Sequence, residues 1–264
     1  MTGAGATSCV VTGGARGIGR GIAELLVARG HRVVVSDVDA EAVAATAAEI
    51  GAVAGLAHDV RDPDAHRAVA AEAVRHAPLA AWFNNAGVGD DGTLAALTDE
   101  QVRRLVEVNL LGTMWGTRAA LDAFGPRGGD VVNVASLAGL TPTPGYAVYG
   151  ATKAGVVALS GSVNAESPRG VRVHALCPDG ADTAMLAAQD PAGMGAQLVH
   201  SGGAILSVSQ VAEAAVALLG SRRVVRTVPG WRGGVARSAA LAPGVSQHLV
   251  GLFAAQGRRA MRRR

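Results

Sequence analysis

Short runs of β-branched and other apolar residues alternate with longer alanine-rich runs along most of the chain. The runs with strand character are 8–12, 32–36, 53–57, 80–84, 130–135, 171–177 and, more weakly, 224–228. Strands that alternate with segments of helical length predict parallel pairing through right-handed helical crossovers. Because the strands are apolar almost throughout, helices should cover both faces of their sheet. The expected fold is α/β, a doubly wound parallel sheet that binds ligands at the carboxyl ends of its strands.

Two regions fall outside this alternation. Residues 185–205 are rich in glycine and contain Pro191, which predicts a mobile flap or short helices. The chain from Pro229 onward has no strand character. We therefore divide the 264 residues into one α/β domain, 1–240, and a C-terminal extension, 241–264.

The extension combines an apolar stretch, 241–253, with a cluster of arginines. Five of the last seven residues are Arg258, Arg259, Arg262, Arg263 and Arg264. One interpretation is an amphipathic segment that lies on a membrane surface or over an apolar pocket. The other is a helix at a subunit interface. We favour an interface or a pocket cover, and we expect Pro243 and Gly244 to weaken any long helix.

Charge and composition exclude several classes of protein. The formal charge is +3, and without the terminal arginines the body is slightly acidic, which argues against binding to nucleic acid. No apolar run reaches the roughly 18 residues that a membrane span needs, and residues 1–8 lack the features of a signal peptide. Cys9 and Cys177 lie in apolar, strand-like runs, which favours reduced thiols and a cytoplasmic location. No metal site is predicted.

A glycine-rich turn follows the first predicted strand and has the sequence Gly13-Gly14-Ala15-Arg16-Gly17-Ile18-Gly19. Such a turn at the start of a helix binds phosphate through backbone N–H groups and the helix dipole. The second strand ends at Asp37, 18 residues after Gly19. A carboxylate there accepts hydrogen bonds from the adenosine ribose and repels a 2′-phosphate, so NAD is favoured over NADP. Arg16 favours NADP instead, because a basic residue in the turn can form an ion pair with a 2′-phosphate.

From this turn onward, over about residues 9–183, the sequence resembles the short-chain dehydrogenase/reductase family. The residues that carry the resemblance are Thr12 to Gly19, Asp59 before Val60, Asn84-Asn85-Ala86-Gly87, Asn109, Ser136, and Tyr149 with Lys153. The resemblance implies a Rossmann-type sheet, a homodimer or homotetramer, and cofactor contacts from Gly13, Arg16, Gly17, Ile18, Gly19, Asp37, Asp59, Val60, Asn85, Ala86, Gly87, Tyr149, Lys153, Pro178 and Thr183.

Tyr149 and Lys153, one helical turn apart, form the predicted catalytic centre, and Lys153 is the only lysine in the sequence. Oxidation of an alcohol needs a base for the hydroxyl proton. The pKa of tyrosine, about 10, must fall by about 3 units, or roughly 4 kcal/mol, for this role near neutral pH. A lysine ammonium on the same helix face can supply much of that shift. The resemblance adds Ser136, which polarises the reacting oxygen, and Asn109, which organises a water beside the lysine.

The sequence departs from the family after the sixth strand. The family usually has Pro-Gly there, with a threonine five residues after the proline. This chain has Pro178-Asp179-Gly180, and Thr183 keeps the spacing. Pro-Asp-Gly is a favourable turn sequence, so we favour a rebuilt turn. The alternative is a carboxylate beside the nicotinamide that selects substrates.

The combined prediction is a reversible NAD-dependent oxidation of a secondary alcohol to a ketone. Tyr146 competes with Tyr149 as the base, but Gly150, four residues after Tyr146, carries no charge. We expect Tyr146 to line the substrate pocket, whose walls are mostly small and apolar. A hydrophobic small-molecule substrate fits such walls. The alternatives are an NADPH-dependent carbonyl reductase of the same fold and a non-catalytic NAD-binding protein.

Overall fold

The computed structural model describes residues 6–241 and 243–262, so Arg263, Arg264 and most of the 1–8 segment lie outside the described residues. A parallel sheet of seven strands has the order β3-β2-β1-β4-β5-β6-β7. The strands are β1 Ser8–Thr12, β2 Arg32–Asp37, β3 Ala54–Ala57, β4 Leu79–Asn84, β5 Gly129–Val134, β6 Val171–Pro178 and β7 Val225–Val228. The predicted doubly wound fold is confirmed, and strand order reverses between β1 and β4, where such sheets bind ligands.

The helices cover both faces of the sheet. They are α1 Gly17–Ala28, α2 Ala40–Ile50, α3 Pro63–His76, α4 Asp99–Val106, α5 Gly112–Ala123, α6 Ala147–Glu166, α7 Ala184–Ala187, α8 Met194–His200, α9 Val208–Val216, α10 Gly230–Leu241 and α11 Pro243–Met261. Successive strand residues point to opposite faces. In β2, Val33 and Val35 therefore pack in one apolar core with α1, α2 and α9, whereas Val34 packs in a second core with α3 and α5.

A single π-helical turn, Glu107–Leu111, joins α4 to α5 and contains Asn109. Isolated π turns are rare and are frequent at functional sites, because the extra residue changes the direction of the side chains that follow. In this protein the turn places the fully buried Asn109 beside the loop that follows β4.

The chain outside the alternating part is mostly helical. Region 185–205 contains two short helices, α7 and α8, which was one of the two predicted outcomes. The expectation that Pro243 and Gly244 weaken a long helix is wrong, because α11 begins at Pro243 and runs for 19 residues. Proline is tolerated in the first turn, where its missing N–H would have no helical partner. The predicted boundary between the main domain and the C-terminal extension, after residue 240, falls at the end of α10 and stays a prediction. Over the part of the chain described, no helix is long and apolar enough to cross a membrane.

A buried polar network fixes the carboxyl ends of β4 and β5. Asn84 accepts a hydrogen bond from the Trp82 indole at 2.8 Å and donates to the side chains of Asn133 at 2.8 Å and Thr117 at 3.1 Å. Asn133 in turn donates to Ser160 of α6 at 3.0 Å. The network joins both strands to α5 and α6, and so positions the two helices that flank the site described below.

Replacing Asn84 with alanine is expected to lower the free energy of unfolding by about 2–4 kcal/mol, because it leaves the buried Trp82 indole without a partner and the Asn133 side-chain carbonyl with only the Thr117 hydroxyl, at 3.3 Å. Urea unfolding measures the change. Asn164→Ala is the matched control, since Asn164 accepts one bond, from the Val173 amide at 3.0 Å, and should lose only about 1 kcal/mol. Equal losses in the free energy of unfolding of the two variants would show that the network contributes no more than a single hydrogen bond.

Candidate active site

One large cavity of about 1690 Å³ opens at the carboxyl ends of the strands. Sites for drug-sized ligands usually measure about 300–1,000 Å³, so this cavity has room for a dinucleotide and a substrate together. All predicted cofactor-binding and catalytic residues except the buried Gly19 and Asn109 line it. The remaining walls come from the loop after β5, α7, α8 and the two C-terminal helices.

The glycine-rich turn has the backbone that phosphate binding requires. Gly13 and Gly17 have φ values of 63° and 55°, which favour glycine. A Cβ on Gly19 would lie 2.1 Å from the Gly13 carbonyl oxygen, so only glycine allows this close packing. No described side chain caps the start of α1, which leaves its first N–H groups directed towards the cavity. The turn therefore fits the pyrophosphate of a dinucleotide.

Asn85 supports this turn from the other side of the switch point. Its side-chain amide donates to the carbonyls of Thr12 and Gly13, each at 3.0 Å. The Thr12 hydroxyl accepts from the backbone amides of Asn85 and Ala86, each at 3.1 Å. The Asn85 side chain, predicted from the sequence as a cofactor contact, thus holds the glycine-rich turn, and Asn85, Ala86 and Gly87 also form part of the cavity wall.

The end of the cavity where adenosine is expected to bind contains the two charged residues that bear on the choice between NAD and NADP. Asp37 ends β2 and accepts from the backbone amides of Ala15 at 3.2 Å and Asp39 at 3.3 Å, which fixes its carboxylate beside the turn. Arg16 is exposed and lines the same end. Asp59 forms an ion pair with Arg61 at 2.6 Å, and that hydrogen bond is the main reason why the pKa of the Asp59 carboxyl is lowered.

His58 is a residue of this wall that the sequence analysis missed. It is buried, and its Nδ1 lies 2.9 Å from the Ser36 hydroxyl. Burial lowers the pKa of His58 to about 4, so the ring is neutral at physiological pH. His66, whose Nε2 lies 2.9 Å from the Val60 carbonyl, packs edge-on against it with ring centroids 4.3 Å apart. The only sequence signal was the proximity of His58 to Asp59.

Tyr149 and Lys153 lie in the first two turns of α6, facing the end of β5. The Lys153 ammonium is 5.7 Å from the centroid of the Tyr149 ring and donates to the Val134 carbonyl at 2.9 Å. The Ser136 hydroxyl accepts a hydrogen bond from the Ala138 amide at 3.2 Å and lies close enough to Tyr149 to act on the pKa of its phenol. The structure therefore brings Ser136, Tyr149 and Lys153 together, and their catalytic roles stay predictions.

Burial shifts the pKa of both members of this pair. It raises the pKa of Tyr149 above its ordinary value, and the Ser136 hydroxyl acts in the opposite direction. Burial also lowers the pKa of Lys153 to about 8. The shift of Tyr149 is thus opposite in sign to the one that catalysis needs. The lowering of its pKa by Lys153 stays a prediction for the cofactor-bound enzyme.

Asn109 connects the π turn to the loop after β4. Its side chain accepts from the Val88 amide and donates to the Val88 carbonyl, each at 2.9 Å. A Cβ on Gly87 would lie 3.2 Å from Asn109 Oδ1 and 3.5 Å from Lys153 Nζ. The absence of a side chain at Gly87 therefore keeps the space between Asn109 and Lys153 open. The water expected there remains a prediction.

Tyr146 lies in the cavity wall, as expected, with its ring centroid 5.6 Å from that of Tyr149. Its hydroxyl donates to the Gln189 side chain, and burial is the main cause of its raised pKa. Tyr146 therefore joins the loop after β5 to the segment that follows α7. Pro178 and Thr183 line the neighbouring wall, and Thr183 directly precedes α7.

Asp179 makes contacts that neither interpretation of the sequence included. Its amide donates to the Val228 carbonyl at 2.8 Å, which continues the pairing of β6 with β7. Its carboxylate accepts from Nε of Arg232, on α10, at 2.7 Å. Both side chains line the cavity. Arg232 could not be identified from the sequence, because 53 residues separate the two partners and no local pattern relates them.

The family description "short chain dehydrogenase" matches residues 7–192, more than half of the chain. A sorbitol dehydrogenase of Cereibacter sphaeroides is 39% identical over 176 residues, which cover 65% of this chain and 69% of the relative. A short-chain dehydrogenase/reductase of Burkholderia phymatum, solved with NAD, is 25% identical with a TM-score of 0.79, covering 88% of this chain and 92% of its own. A variant of the actinorhodin polyketide ketoreductase, solved with NADPH, is 30% identical with a TM-score of 0.76, covering 88% and 99%.

These matches and the site just described define the class of protein. The chain belongs to the short-chain dehydrogenase family. It is an oxidoreductase that transfers a hydride between an alcohol and a ketone, on a fold shared with the two solved structures. Because one of those structures holds NAD and the other NADPH, membership of the family does not choose between the two cofactors.

Proposed function

We propose that this enzyme reversibly oxidises neutral, hydrophobic secondary alcohols to ketones with NAD. The observation that carries the proposal is the cluster of Ser136, Tyr149 and Lys153 at the wall of a predominantly apolar cavity. Bound NAD would supply the hydride acceptor. The residues of the chain bind and orient both molecules, exclude water and move the hydroxyl proton.

Each catalytic residue has a separate role in the proposal. Tyr149 Oη removes the proton from the alcohol and returns it in the reverse direction. The Ser136 hydroxyl, whose oxygen accepts from Ala138, keeps its own proton to donate to the reacting oxygen. The Lys153 ammonium stabilises the ionised phenol and binds the nicotinamide ribose. Asn109 fixes the loop beside Lys153 and holds the water of the proton relay.

NAD is proposed over NADP on the position of Asp37. Two backbone amides hold its carboxylate at the end of β2, so the charge cannot easily turn away from a 2′-phosphate. Arg16 favours NADP, but it is exposed, and its charge is therefore better screened by solvent. An NADPH-dependent carbonyl reductase is the second candidate, because Arg16 lines the cavity.

A cofactor titration tests this choice. The wild-type enzyme should have a higher kcat/KM with NAD than with NADP, measured by absorbance of the reduced cofactor with hydrophobic secondary alcohols. Asp37→Ser should reduce that preference by about tenfold or more, because it removes the repulsion of a 2′-phosphate. Arg16→Ser is the matched control and should increase the preference. A wild-type enzyme that prefers NADP would overturn the NAD proposal.

Three further parts of the proposal concern the assembly, the location and the C-terminal extension of the protein. We propose a homodimer or homotetramer, as the family resemblance implies, which sedimentation equilibrium would measure. The two cysteines are free and buried, which supports a reducing compartment such as the cytoplasm. The placement of Val250 and Phe253 in the cavity wall supports a pocket cover as the role of the extension.

A further inference from the structure

Arg232 connects three elements at the substrate end of the cavity. Its Nε donates to Asp179 Oδ2 at 2.7 Å, at the end of β6. Its Nη1 donates to the Ser201 hydroxyl at 3.2 Å and its Nη2 to the Leu198 carbonyl at 3.5 Å, both at the end of α8. The side chains of Asp179 and Arg232 are only 9% and 15% exposed. The guanidinium therefore ties α10 to β6 and α8 from within the protein.

Close packing leaves little room for a different arrangement of this pair. A Cβ on Gly202 would lie 3.1 Å from Asp179 Oδ2 and 3.2 Å from Arg232 Cζ. Removal of one partner from a buried ion pair leaves an uncompensated charge, which is strongly unfavourable. The position of α10 should therefore depend on both partners being present.

The same helix supplies part of the pocket. Val235, Ala236 and Ala239 of α10 line the cavity, together with Val250 and Phe253 of α11. α11 is itself packed tightly against α8, because a Cβ on Gly257 would overlap the Gln197 carbonyl, and Arg258 donates to the Gln197 side chain at 2.7 Å. The two C-terminal helices thus form an apolar wall with an ionic attachment at its α10 end and a packed attachment at its α11 end.

We propose that Asp179 and Arg232 are a pair of positioning residues that hold α10 as the far wall of the substrate pocket and thereby limit the size of the alcohol that binds. This inference rests on the proposed function. The charge of Arg232 is matched by Asp179, so the wall offers a substrate an apolar surface and not a free cation. A neutral alcohol of limited length fits that surface.

Four variants test the pair. Asp179→Asn and Arg232→Met each break it, and Asp179→Leu combined with Arg232→Leu replaces it with apolar contacts, which often restore the stability of a buried pair. Arg237→Met is the control, because Arg237 is an exposed arginine of the same helix. The first measurement is kcat/KM over a series of linear secondary alcohols of increasing length, with KM and kcat resolved, together with the dissociation constant of NAD.

Each single variant is expected to reduce the selectivity between the preferred alcohol and one too long for the pocket by about tenfold, mainly through KM. The double variant should regain most of the selectivity, and Arg237→Met should keep it. Selectivity that is unchanged in both single variants would overturn the proposal. A parallel loss of NAD affinity in both would also overturn it, because the wall would then not be specific to the substrate.

Hydrogen–deuterium exchange of the peptide that spans α10 tests the pair without catalysis. Exchange in this peptide should be about tenfold faster in each single variant than in Arg237→Met, and the double variant should be close to the control. If the wild-type enzyme oxidises no alcohol, the proposed function fails, while this exchange result still decides whether the pair holds α10. Unchanged exchange in both single variants would overturn the positioning role.

Discussion

Replacing Tyr149 with phenylalanine is expected to lower the turnover of alcohols by about 10²–10⁴-fold, because it removes the only atom in the cluster that can take the hydroxyl proton directly. The phenyl ring should keep its packing beside Tyr146, so the fold is retained. Steady-state kinetics with saturating NAD measure the loss. The dissociation constant of NAD should change far less than turnover, since most of the predicted cofactor contacts lie elsewhere.

Tyr146→Phe is the matched control for this prediction. Tyr146 is the only other tyrosine in the sequence and loses only its hydrogen bond to Gln189 in the variant. Its effect should fall on KM and be far smaller than that of Tyr149→Phe. If Tyr149→Phe kept turnover and Tyr146→Phe lost it, the assignment of the base would be wrong. In the wild-type enzyme, the pH profile of kcat/KM for the alcohol with saturating NAD would report the pKa of Tyr149 once the cofactor is bound.

Replacing Lys153 with methionine is expected to abolish most activity and yet to stabilise the protein at neutral pH. Burial lowers the pKa of Lys153 from 10.5 to about 8, a shift equivalent to about 3 kcal/mol. Methionine keeps an apolar side chain of similar length and removes the buried charge. The loss of the bond to the Val134 carbonyl offsets about 1 kcal/mol of the gain. The free energy of unfolding should therefore rise by about 2 kcal/mol.

The sign of this effect with pH follows from proton binding. Below pH 8 the lysine is protonated in both the folded and the unfolded chain, and the cost of burying the ammonium is complete. Between pH 8 and 10.5 the unfolded chain binds more protons than the folded chain, so wild-type stability rises relative to the variant. The advantage of Lys153→Met should thus disappear by about pH 10.5. Lys153→Arg, which keeps the charge, is the control, and a Lys153→Met protein less stable than wild type at pH 7 would contradict the argument.

The alternating part of the fold could be predicted because its signal is local. Each strand of a parallel sheet is covered on both faces, so runs such as Cys9–Val11 and Val33–Val35 must be apolar at every position. The glycine-rich turn could be predicted for the same reason, since the positive φ values at Gly13 and Gly17 act on single residues. Tyr149 and Lys153 were found together because one helical turn separates them.

The rest of the site depends on contacts that are distant along the chain. A pocket cover was one of the predicted roles of the extension, but the contacts that place α10 and α11 at the cavity could not be predicted, because their residues show no partner in the sequence. The sequence suggested that Asp179 is a turn residue or a substrate contact. Its contact with Arg232 could not be predicted, because Arg232 lies on the distant helix α10. The role of Asn85 as a support of the phosphate-binding turn required the pairing of β1 with β4. The π turn at Asn109 differs from an α-helix by one inserted residue, which no periodicity in so short a segment reveals.

Because Lys153 is the only lysine in the sequence, amine-selective reagents can label the site at one side chain. Apart from the α-amino group, it is the only primary amine in the sequence, and its pKa of about 8 leaves a substantial neutral fraction in mildly alkaline buffer. A small amine-selective reagent that enters the cavity would therefore modify a single side chain. Protection of that side chain by a ligand would report occupancy of the nicotinamide end directly. Reductive methylation with labelled carbon would place one NMR probe within the active site.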